Sequence, residues 1–253
     1  MRTLIPALLS AAILAIAAAL LLTIAAEASE AEEAQELVAR LVELRQVEDA
    51  AGLMEALGQL PDVYEKIESA SLRAKLRREM GRILRDESLG DARVSAVGAL
   101  VAINDPKVAW KELSKGVPSP KVEEASALDL AIVRATGQLA QKAGIGVLLD
   151  LVTKATDNKL ARAAAVALAG FRDDRRNRVK VLEELLALGK RIRPGVSPGK
   201  TVSPVAQKRW EIVGPGIVAG LNGLTRQTVS SFEEWEAFYK EFKRQPKDLF
   251  LED

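Results

Sequence analysis

Apolar residues recur along most of this chain at intervals of three and four. Leu37, Leu41 and Leu44 do so within Glu30 to Gln46, which is the period of one helix face. No segment has period two, and alternating Val, Ile, Thr and Tyr runs bounded by Asn-Gly turns are missing. The pattern predicts an all-α fold. A second helix is expected over Val47 to Leu60. Pro61 then opens a long charged helix reaching about Arg85, since proline at a first helical position gives up an N–H that has no partner anyway. Asp91 and Asp105-Pro106 read as further helix starts, and Pro118-Ser119-Pro120 as a break. Helices follow over Lys121–Gln141, Ala143–Ala155, Asn158–Phe171 and Arg176–Lys190. The last two cover Val205–Leu224 and Ser231–Arg244, with an extended tail from Gln245.

Within these helices one motif repeats. Asp91-Ala92-Arg93-Val94-Ser95-Ala96-Val97-Gly98-Ala99-Leu100 is an acidic turn followed by a small-residue helix. It returns from Asp157 to Leu168 and, more loosely, from Asp129 to Leu139. Small side chains let helices approach closely, as stacked helical repeats require. Leu100, Leu139 and Leu168 hold similar places, 39 and 29 residues apart. Those spacings bracket the usual two-helix repeat and point to divergent copies.

The stretch Asp157-Asn158-Lys159-Leu160-Ala161-Arg162-Ala163-Ala164-Ala165-Val166-Ala167-Leu168-Ala169-Gly170 resembles the second helix of a HEAT repeat. Gly220 to Gln227, followed by Ser231-Phe232-Glu233-Glu234-Trp235, resembles the end of exported bacterial HEAT-repeat proteins, with Arg226 where glycine is usual. The resemblance covers about residues 90–245. It implies a right-handed α-solenoid of divergent HEAT-like helix pairs, and a scaffold or protein-binding role rather than catalysis. It supplies no site residues.

The chain opens on Met1-Arg2, an apolar run from Leu4 to Ala26, and Ala26-Glu27-Ala28 before an acidic stretch. This is the layout of a secretory signal peptide, although the run is also long enough to span a bilayer. Two alternatives stay open: a cleaved signal over 1–28, or an anchor giving membrane association through residues 4–26. Both put the body outside the cytoplasm, in a periplasmic or other extracytoplasmic space. The expected organisation is then an acidic helical region at 29–89, the repeat domain at 90–244 with a long loop at 191–204, and a tail at 245–253.

Composition narrows the chemistry. The 253 residues include no cysteine and no histidine. That removes thiolate nucleophiles, the commonest metal ligand and the commonest general base. The acidic pairs Asp173-Asp174 and Glu233-Glu234 are adjacent, so their side chains diverge on a helix. Gly199-Lys200-Thr201 lacks the glycine spacing of a phosphate loop. Neither an enzyme nor a cofactor or metal site is expected.

Charge changes the picture more. Residues 27–72 carry 12 acids and 3 bases; residues 159–211 carry 13 bases and 5 acids. If repeats stack in order, the two ends carry opposite fields. The candidate partner-binding residues are therefore Arg172, Arg175, Arg176, Arg178, Lys180, Arg191 and Arg193. They suit a protein partner that is acidic, or an anionic envelope surface. Nucleic acid is not expected, because only Phe171 and Trp210 lie among the bases. Arg73, Lys75, Arg77, Arg78, Arg82 and Arg85 alternate with Glu79 and Asp86 and read as a solvated face, with Arg82 and Asp86 as an i,i+4 pair. Phe232, Trp235, Phe238, Tyr239 and Phe242 form a stripe expected to close the core at the last helix.

Overall fold

The computed structural model describes residues 31–194, 203–242 and 244. The N-terminal segment, the centre of the long loop and the tail lie outside the described residues. Within them the chain is all-α, without strands, and no helix is long and apolar enough to cross a membrane. Helix α1 covers 31–46. It is followed by α2 (Ala50–Lys66), α3 (Ala70–Arg85), α4 (Ala92–Ala102), α5 (Pro106–Leu113), α6 (Ala127–Leu139), α7 (Lys142–Lys154), α8 (Asn158–Ala167), α9 (Arg178–Ile192), α10 (Pro204–Thr225) and α11 (Phe232–Phe242).

Local chemistry explains most of these boundaries. Asp105 accepts from the Val108 N–H at 3.1 Å, with Pro106 in the first turn of α5. Asp157 accepts from Leu160 at 2.9 Å and starts α8. Ser126 and Asp129 form a reciprocal capping box on α6. Asp129 is thus inside the first turn rather than before it, and Lys121–Ala125, expected to be helical, is irregular. Asp91 begins α4 but makes no side-chain cap bond. Arg226 takes φ 59°, the left-handed closing conformation that glycine would adopt more cheaply.

Pro61 does not start a helix. It lies inside α2, which continues to Lys66. A mid-helix proline costs about 3 kcal/mol. Here Leu57, Leu60, Val63 and Tyr64 are buried on one continuous face spanning it, and each such burial contributes about 1.5–3 kcal/mol. The break falls at 67–69 instead, where Ser69 caps α3.

The helices pack on neighbours one or two places along the chain. The even-numbered helices α2, α4, α6, α8 and α10 each contact the next in that row. Contacts also join α3 to α5, α7 to α9, and most consecutive pairs from α3 onward. One apolar core runs from Ala34 to Leu139 and a second from Val133 to Trp235. The two meet at α6, which gives Ile132, Ala135 and Leu139 to the first and Val133 to the second, and α2 and α3 bury their faces against α4 and α5.

Glycine sets the spacing around α8. A Cβ on Gly137 of α6 would overlap the Ala167 carbonyl oxygen, and one on Gly170 would overlap that of Gly137. On the other flank, Gly216, Gly220 and Gly223 of α10 face Arg162, Ala165 and Ala169 in that order. The matching order makes α8 and α10 parallel.

Candidate functional site

Three helices of the even-numbered row build an open, largely apolar groove. From α6 come Leu130, Arg134 and Gln138, four residues apart and on one face. From α8 come Lys159, Arg162 and Val166, at i, i+3 and i+7. Ile212 of α10 closes the far side. Together they border a cavity of about 550 Å³. The glycine contacts place these faces side by side, since bulkier residues would push α6 and α10 away from α8. Val166 is 43% exposed, so the groove leaves a sizeable apolar side chain in water.

The groove is also one-signed. Among the described residues its titratable lining is Arg134, Lys159 and Arg162, with no carboxylate. Arg134 and Arg162 are exposed, and neither side chain has an ion pair or hydrogen bond among the described residues. Lys159 stands next to Asp157, whose buried carboxyl anchors the start of α8. Burial pushes that carboxyl up, but the Ala125, Leu160 and Lys159 backbone N–H groups and the Lys159 charge outweigh it and hold the group below its ordinary value. Asp157 also ties the irregular 117–126 segment to α8 through Ala125, at 2.9 Å.

Two other grooves carry acids. One of about 500 Å³ between α10 and α11 is bordered by Trp210, Glu211 and Glu233. Another of about 400 Å³ between α1 and α2 is bordered by Glu33, Glu36 and Asp62, with Arg40 and Lys66.

The arginines singled out from the sequence do not form one patch. Arg172, Arg175, Arg176, Arg178 and Lys180 lie in the α8–α9 turn and the first turn of α9; Arg191 and Arg193 lie at its other end. Arg178 and Arg191 are separated by about 20 Å along the helix axis. Arg172 pairs with Asp173 at 3.4 Å. Arg193 pairs with Glu233 at 3.0 Å and Glu236 at 2.7 Å, and its guanidinium stands 5.7 Å from the Phe232 ring centre. It fastens α11 to α9. Arg209, counted among the bases, is spent on the end of α7: it donates to the Ala155 carbonyl at 2.8 Å and the Val152 carbonyl at 3.0 Å.

The charged helix α3 is not a simple solvated face. Glu79 is 2% exposed and Glu112 of α5 is 4% exposed. Arg45 of α1 and Arg82 bond Glu79, the latter at 2.9 Å. Arg82 therefore pairs with Glu79, while Asp86 turns to Ser88. Glu112 accepts from Lys115 at 2.8 Å and Arg85 at 3.3 Å, with Arg77 3.9 Å away. This network joins α1, α3 and α5. Neither buried glutamate borders any of the three grooves, so neither is placed to act on a ligand there.

Burial raises the Glu112 carboxyl, but its hydrogen bonds and charges from Lys115 and Arg85 prevail and lower it. A depressed carboxyl pKa contributes stability that is present above the unfolded value, about 4.3, and is lost as pH falls through the folded value. We expect Glu112→Gln to melt below the wild type at pH 7 and the gap to narrow towards pH 3. A gap that stays constant over that range would show that the Glu112 charge contributes nothing.

Comparison of the chain with protein-family models, curated proteins and solved structures returns no match.

Proposed function

We propose that this chain is an exported HEAT-like helical-repeat scaffold, a right-handed α-solenoid that docks an anionic protein partner and performs no catalysis. The observation that carries this reading is the α6–α8–α10 groove, where Arg134, Lys159 and Arg162 surround uncovered apolar side chains. The neighbour-to-neighbour helix contacts support the repeat assignment. The lack of histidine and cysteine supports a binding role over an enzymatic one. A second reading, a membrane-anchored structural subunit of a cell-envelope complex, is favoured by the apolar run from Leu4 to Ala26. N-terminal sequencing of the protein from its native envelope separates the two. Ser29 at the start indicates release, and Met1 indicates an anchor.

Docking itself is tested with labelled poly-L-glutamate and the full chain. Binding should weaken steeply between low and physiological salt, where exposed charges are screened beyond about 8–10 Å. No binding at low salt, or binding indifferent to salt, would overturn the anionic-partner reading.

A further inference from the structure

We infer that the α6–α8–α10 groove receives a protein segment whose apolar side chains are flanked by carboxylates, and that this groove, not the arginines around α9, is the docking site. The inference rests on the scaffold reading and names its partner chemistry. Four observations carry it. First, the groove floor is aliphatic, with Leu130, Val166 and Ile212, so an occupant must bring apolar groups to displace water there. Second, three cations border it without a carboxylate, and Arg134 and Arg162 have no side-chain partner among the described residues. Two guanidiniums so placed are disposed to take carboxylates in paired hydrogen bonds. Third, the glycine-mediated contacts of α8 with α6 and α10 hold the two arginine-bearing helices at a set spacing, so the groove is formed before anything binds.

The fourth observation is what the lining omits. Among the described residues no aromatic side chain borders the groove, so they offer no stacking platform for nucleic-acid bases. Sugars are also recognised through polar side chains, and Gln138 is the one amide here. A bilayer favours a protruding apolar face, whereas these residues border a cavity. A peptide segment supplies both an apolar edge and carboxylates at side-chain spacing, as in other grooves that take amphipathic segments. The α9 arginines fit less well. They fall at two ends of one helix, and Arg172 and Arg193 are already paired.

The experiment uses the full chain and a fluorescein-labelled synthetic peptide of repeated Glu-Leu-Leu-Glu blocks. Its control has serine for every leucine, and binding is read by anisotropy. The leucine peptide should bind about tenfold more tightly than the control, about what one well-buried aliphatic side chain supplies. Arg134→Glu with Arg162→Glu should weaken it at least about tenfold. Val166→Asp should remove the preference for leucine. Reversing Arg175, Arg176 and Arg178 together should leave it unchanged. Arg134→Gln with Arg162→Gln, which keeps polar side chains of similar reach, replaces the reversal if circular dichroism shows that variant unfolded.

Equal binding of the two peptides, or full affinity in the groove variants, overturns the groove assignment while leaving an anionic-partner scaffold standing. Binding to phosphatidylglycerol vesicles with neither peptide bound overturns it in favour of a membrane surface. Concentration-dependent self-association in sedimentation, abolished by the Arg134 and Arg162 reversal, overturns it in favour of a second copy presenting its acidic α1–α2 face. No binding to either peptide or to poly-L-glutamate removes the scaffold reading as well.

Discussion

Trp235→Ala should lower the stability of the folded chain by about 3–5 kcal/mol, the range for truncating a large buried aromatic. Trp235 is fully buried at the end of the second core. Its ring stands edge-on to Phe238, with centres 5.6 Å apart. Its indole N–H donates to Asn222 of α10 at 2.8 Å. Asn222 in turn bonds both the carbonyl and the N–H of Val229, so the indole also supports the turn that leads into α11. Losing it opens a cavity and leaves Asn222 short of a donor. Trp235→Phe, which keeps an aromatic ring but not the N–H, should cost less. Urea or thermal unfolding of the three proteins decides the matter. An unchanged midpoint in the alanine variant would mean that α11 is not what closes the core, and would favour an aromatic face used for docking.

The second large effect is expected at Gly137. Its α-carbon faces Ala167 so closely that an added methyl group would meet the carbonyl oxygen and stand 2.9 Å from the carbonyl carbon. Both sides of this contact are backbone, so no flexible side chain can yield. Gly137→Ala should therefore cost about 3 kcal/mol, the upper end of ordinary overpacking, despite alanine's better helix propensity. Because α6 and α8 must separate to admit the methyl, affinity at the groove should fall with stability. Gly98 of α4 provides the contrast, since nothing lies within 4 Å of its added Cβ. Gly98→Ala should stabilise by about 0.5–1 kcal/mol through backbone entropy alone. If both variants moved the melting temperature in the same direction, close backbone approach would not be what positions α8.

Much of this architecture was legible in the chain. The period of Leu37, Leu41 and Leu44, the caps Asp105 and Asp157, and the Phe232–Trp235 stripe all depend on neighbours within a turn or two. Such features are set by local sterics and hydrogen bonds, and the helices fall near their expected places. Pro61 was misleading because its local cost is real but smaller than the burial gained by extending α2 across it. Glu79 was misread for a related reason. On α3 alone, an acid among arginines looks like surface. It is buried once α1 packs beside α3 and brings Arg45 to it.

The groove shows the same division. Arg134 and Arg162 were visible as basic residues, each five places after the aspartate of a repeat copy, and that shared position was the signal available. Nothing in the order of residues says that they face one cavity, or that the denser cluster from Arg172 to Arg193 divides between the two ends of α9. By itself the sequence determined the helices, their principal caps, the small-residue faces and the uneven charge, because each follows from interactions a few residues long. Tertiary structure decided which glycines became contact points, which acids were buried, and which bases came to border an uncovered apolar surface. Those outcomes depend on how helices far apart in the chain share a limited volume, and close packing makes that a property of the whole fold.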